Sequence, residues 1–193
     1  MSSIKVTGLT KTLSKLDNIR DLSKVINTAT KRTQRAAKTI ASSSIREELA
    51  LKKRYVDERI SVYSKQATRN SRDSSITVVM KSRGILFNRF NHRINAKGQM
   101  RITIKPGQPK VIKRVWMLKL RQGGTTPVYW KGKAPRGKNK YGQRPDHYWD
   151  SLARYGASPS QVLNTKRDSI SEAIAERWGK EFKSSFNYHT RVK

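Results

Sequence analysis

SSITVVM, from Ser74 to Met80, places Ile76, Val78 and Met80 at every second residue, the period of a strand that buries one face. The same alternation returns at Met100, Ile102 and Ile104, and Val111 to Leu120 is rich in β-branched and aromatic residues. Asn95-Ala96-Lys97-Gly98 and Pro106-Gly107 supply turn chemistry between these runs, and Thr126 to Trp130 reads as a further short strand. Four or five antiparallel strands are expected. From Ser74 to Pro145 the chain holds eighteen Lys and Arg and not one Asp or Glu, whereas an ordinary soluble surface mixes both signs. Such a segment is suited to lie against phosphate backbones or acidic protein.

Working outward, the charge is uneven. Residues 1–70 hold sixteen bases against six acids, residues 71–146 nineteen against two, and residues 147–193 eight against five, within a net charge of +30 over 193 residues. With 35% hydrophobic residues and that charge, an isolated chain repels itself, so partners are expected to supply part of its stability. There is no Cys, which excludes disulfides, thiolate metal sites and a Cys nucleophile. The opening MSSIKVTGL lacks the apolar core of a signal peptide, and no run approaches the ~18–20 apolar residues of a membrane span, so no membrane partner is expected.

Upstream of the strands, Leu13, Leu16 and Ile19 suggest a short helix over Thr10 to Ile19. From Asp21 to about Ile45, Leu22, Val25, Ile26, Ala29, Ala36, Ala37 and Ile40 predict a long amphipathic helix with Lys and Arg between the apolar steps. Leu49, Val56, Ile60 and Tyr63 predict a second helix over Glu47 to Ala67, with a hinge at Ser42 to Ser44. Downstream, GKAPRGKNKYGQRP at 132–145 has no periodicity that could bury a face and reads as a loop. His147 to Tyr155 is expected to form a turn or two of helix. Ser158 and Pro159 then open the last helix as N-cap and first helical residue. Its apolar stripe is Leu163, Ile170, Ile174, Trp178 and Phe182, and its acids are Asp168, Glu172, Glu176 and Glu181. Trp116, Trp178 and Phe182 are expected in one core.

No catalytic grouping stands out. Asp146, His147 and Ser151 have the letters of a triad without a strand-to-helix elbow, and Asp146, His147 and Asp150 would hold a metal only by converging from one short segment, so they read as surface polar residues near a turn. Gly132-Lys133 and Gly137-Lys138 are followed by Ala134 and Asn139, so they lack the hydroxyl of a phosphate-binding loop. No enzyme activity and no cofactor are expected. Instead, Tyr129, Trp130, Tyr141, Tyr148 and Trp149 interleave with the candidate contact residues Lys131, Lys133, Arg136, Lys138, Lys140 and Arg144, a mixture able to stack bases and neutralise phosphates or to dock an acidic protein. Any DNA affinity of this kind is insensitive to sequence and falls with salt.

In the order of its motifs the chain resembles the minor tail protein Z family of tailed bacteriophages, the tail completion proteins. The resemblance runs through VINTATKRTQRAAK at Val25 to Lys38, LKKRYVDERI at Leu51 to Ile60, GILFNRF at Gly84 to Phe90 and KGQMRITIK at Lys97 to Lys105. It is sharpest in RYGASPSQVL at Arg154 to Leu163, before the C-terminal helix. It departs at Ala157, where the family favours Pro, and at WMLKL, Trp116 to Leu120. The resemblance implies a structural virion protein made in the host cytoplasm, which caps or joins the tail tube as a homo-oligomeric ring of six or three copies. Its implied partners are acidic tail or neck proteins and genomic double-stranded DNA. A nucleic-acid-binding protein outside any virion and a baseplate-proximal adaptor ring are the alternatives. The expected architecture is α+β: N-terminal amphipathic helices and a C-terminal helix packed on a small antiparallel β-sheet. One domain over residues 1–193 is expected, with 1–70 helical, 74–130 β-rich, 131–146 a basic loop and 147–193 helical.

Overall fold

Ile76, Val78 and Met80 build the central strand of the first sheet in the computed structural model, which describes residues 2–6, 22–68, 73–81, 85–113, 115–119, 125–129 and 155–191. That strand, β3 (Ser75–Met80), lies between β1 (Ser2–Val6) and β2 (Ile60–Lys65), antiparallel to both. Register puts Ile4 opposite Val78 and Val78 opposite Val62, with Ser2, Met80 and Ile60 in the next row on the same face. Because side chains alternate, the opposite face carries Lys5, Thr77 and Tyr63 in one row. The fold is α+β, as the sequence predicts, and its packing forms two compact units. The first comprises Met1–Arg46, Lys53–Arg83 and Pro159–Lys193, and the second Glu47–Lys52 and Gly84–Ser158.

In the first unit the long amphipathic helix forms as expected, α1 (Leu22–Glu48), burying Leu22, Val25, Ile26, Ala29 and Ala37. The hinge expected at Ser42 to Ser44 is absent. Ser42 donates to the Asp57 carboxylate and Ser43 to the Ile40 carbonyl, so these hydroxyls find partners while the helix runs on. The second helix is corrected more strongly, because only α2 (Lys53–Asp57) is helical and Ile60 to Lys65 is strand. ISVYSK satisfies a period of two as well as a helical step, and pairing with β3 decides between them. The predicted helix over Thr10 to Ile19 lies outside the described residues.

The C-terminal helix begins at Pro159, directly after Ser158, but divides into α3 (Pro159–Thr165) and α4 (Arg167–Arg191). Lys166 donates to the Val162 carbonyl and its own carbonyl accepts from Ile170, which carries the chain across the break. Leu163, Ile170, Ile174 and Trp178 are buried, and Phe182 packs beside Trp178 against Leu22, Ile26, Ala29 and Ala67. Trp116, expected in that core, lies in the strand Val115–Lys119 of the second unit, and its side chain is outside the described set. Of the acids, Glu181 accepts from Arg177 and lies 3.6 Å from Arg32. Glu176 is bridged to Lys180, whose hydrogen bond and charge hold its carboxyl below the ordinary carboxylate value.

Among the described residues, the second unit replaces the single expected sheet with three small antiparallel ones. β5 (Asn91–Ile94), β6 (Met100–Lys105) and β7 (Gln108–Ile112) form a meander, β8 (Val115–Lys119) pairs with β9 (Thr125–Tyr129), and β4 (Ile85–Leu86) pairs with β10 (Tyr155–Gly156). Both predicted turns are present. Asn95 accepts on its side-chain oxygen from the Lys97 and Gln99 amides, and Gly98 and Gly107 take φ of 66° and 71°, which a side chain would resist. The single strand expected over Val111 to Leu120 is broken after Ile112, and the Val115 amide donates to the Gly98 carbonyl. Gly156 is required by packing, since a Cβ there would sit 2.5 Å from the ring of buried Phe90.

Candidate polyanion-binding surfaces

The contact residues predicted from the sequence, Lys131, Lys133, Arg136, Lys138, Lys140 and Arg144, lie outside the described residues, as do Asp146, His147, Asp150 and Ser151. Within the described residues, uncompensated positive charge gathers in two places, one in each unit.

In the first unit an open groove of about 920 Å³ runs between α1 and β2. Helical spacing of three and four residues sets Lys31, Gln34, Arg35 and Lys38 along one stripe of α1. Ile60, Ser61, Val62, Tyr63 and Gln66 form the other wall. β2 is an edge strand, and edges left open invite uncontrolled pairing. Here α1 covers it with amides. Gln34 donates from Nε2 to the Val62 carbonyl at 3.0 Å and accepts on Oε1 from the Ser64 hydroxyl at 2.8 Å. Two turns earlier, Asn27 donates to the Ala67 carbonyl at 2.9 Å and accepts from the Ala67 amide at 2.8 Å, as a neighbouring strand would. These bonds tie the helix to the strand edge, with the basic stripe and β2 lining the same groove.

The electrostatics of the groove are one-sided. No acid lines it, and Lys31, Arg35 and Lys38 are exposed and in no ion pair among the described residues. Arg32, one position round the helix, lies 3.6 Å from Glu181, a carboxylate it shares with Arg177. Tyr63 is 61% exposed at the groove. The signal for this stripe was present in the sequence, because no acid occurs from Leu22 to Ile45. Its apposition to Tyr63 depends on Ile60 to Lys65 forming a strand, where the apolar spacing also fits a helix.

In the second unit, Arg93 of β5 stands directly opposite Arg101 of β6, and Val111 of β7 continues that row. Both arginines are exposed and in no ion pair among the described residues. Like charges facing across a ladder destabilise it. Arg101→Glu is therefore expected to stabilise the protein by ~0.2–1 kcal/mol in urea denaturation through a new cross-strand ion pair, while weakening its binding to heparin. A loss of stability would show that the arginines do not repel.

Among the described residues no three His, Asp or Glu converge to hold a metal ion, and no helix is long and apolar enough to cross a membrane. Comparison with known proteins returned no match to a family model, a curated protein or a solved structure.

Proposed function

We propose that this chain is a structural component of a tailed-phage virion, a minor tail or tail-completion protein that caps or joins the tail tube against a polyanionic partner. The observation that carries the reading is positive charge left uncompensated at a cost to the fold, seen in the opposed Arg93 and Arg101. A chain with no such partner gains nothing from that arrangement. The order of the tail-like motifs supports the placement in a tail. The sharpest of them, around Tyr155 to Leu163, spans the β10 pairing and the start of α3. Acidic tail or neck proteins and genomic DNA are the partners this charge fits, and a closed ring of six or three copies satisfies every subunit interface.

A nucleic-acid-binding protein outside any virion is the second reading, favoured by the exposed Tyr63 beside unpaired bases. Localisation separates the two. Labelled protein is expected in purified particles, at one end of the tail, and its absence from particles would overturn the virion assignment. Replacing Lys133, Arg136, Lys138 and Lys140 together by Glu is expected to leave the chain folded by circular dichroism and to block its incorporation into tails. Normal yields of infectious particles from that variant would remove those residues from the mechanism.

A further inference from the structure

We infer that the groove between α1 and β2 binds single-stranded nucleic acid, with phosphates on Lys31, Arg35 and Lys38 and a base on the ring of Tyr63. This rests on the reading of the chain as a polyanion-contacting protein and is independent of its place in a virion.

Three observations select this occupant. Lys31 and Lys38 are seven residues apart on α1, roughly 10 Å of helix, which matches the rise of about three stacked nucleotides along one strand. The wall opposite supplies neutral hydrogen-bonding groups, Ser61 and Gln66, beside an exposed aromatic ring, and a ring of this kind stacks on any base that is not already paired. A base within a duplex presents no free face to Tyr63, so an unpaired strand uses the whole site and a duplex only its cations. Tyr63 also belongs to the solvent face of the first sheet, with Thr77 and then Lys5 in its row and Lys65 two residues along its own strand. All of these bases are exposed, and no acid stands in the row. An acidic peptide would satisfy the cations and leave Tyr63 without a role.

The test measures binding of a short fluorescent thymidine oligonucleotide to the full chain across a salt series. Competitors are a duplex of the same length and polyglutamate. The triple variant Lys31→Ala, Arg35→Ala, Lys38→Ala is expected to reduce the slope of log affinity against log salt by about 2, the share of three phosphate contacts on a single strand. Tyr63→Ala is expected to weaken oligonucleotide binding roughly 5- to 150-fold with the slope unchanged, and Tyr63→Phe to retain affinity. Tyr63→Thr, which favours strand, serves where Ala disturbs β2. Unchanged slope and affinity in the triple variant and in Tyr63→Ala, with heparin binding intact, would overturn the groove assignment and leave the polyanion reading standing. Polyglutamate displaced by the triple substitution but indifferent to Tyr63→Ala would replace the nucleic acid with an acidic protein. Failure of the parent chain to bind oligonucleotide, duplex, polyglutamate or heparin would overturn both readings.

Discussion

Trp178→Ala is expected to lower the unfolding free energy by ~3–5 kcal/mol, the range for emptying a large aromatic site in a packed core. Trp178 is 6% exposed, packs with Leu22, Ile26, Ala29 and Ala67, and stacks on Phe182 with ring centroids 5.1 Å apart. Its indole Nε1 donates at 3.1 Å to the hydroxyl of Thr30, which is itself buried on α1, so truncation removes apolar contact and strands a polar group together. Trp178→Phe keeps much of the volume and loses the donor, and is expected to cost ~1–2 kcal/mol. Urea denaturation followed by circular dichroism reads both values. An unchanged midpoint for Trp178→Ala would mean that α4 and α1 do not depend on this contact.

Asn27→Ala is expected to cost ~2–6 kcal/mol, since it leaves both backbone groups of buried Ala67 without their partners at ~1–3 kcal/mol each. Asn27→Asp keeps the acceptor for the Ala67 amide but turns a carboxylate oxygen toward the Ala67 carbonyl, so it is expected to be less stable than the parent. Hydrogen exchange gives the residue-level readout. The Ala67 amide is expected to exchange faster in Asn27→Ala than in the parent, and equal protection would show that another group satisfies it. Because Asn27 and Gln34 cover the same strand edge, the variant is also expected to widen the groove and weaken binding there.

Elements whose signals are local were legible in the chain. The apolar steps from Leu22 to Ile45 are long enough to specify α1 on their own, and the same holds for Ile170 to Phe182 in α4, whereas the break before Arg167 has no signal in the apolar stripe. Asn95 to Gly98 and Pro106-Gly107 carry their turn geometry in their own side chains and φ preferences. Composition likewise determined the excess of positive charge and the acid-free run after Ser74. Tertiary structure decided what depends on distant pairing. Ser2 to Val6 offers only Ile4 and Val6 as an apolar signal, and becomes a strand because β3 presents an unpaired edge to it. Ile60, Val62 and Tyr63 fit two periods, and β3 selects the one that turns Val62 inward and Tyr63 outward. The candidate surfaces follow from the same selection. Lys31 and Tyr63 line one groove only because α1 lies along the edge of β2, and Arg93 faces Arg101 only in the register fixed by the turn at Asn95 to Gly98. Pairing partners and register are properties of two segments together, so no reading of either segment alone contains them.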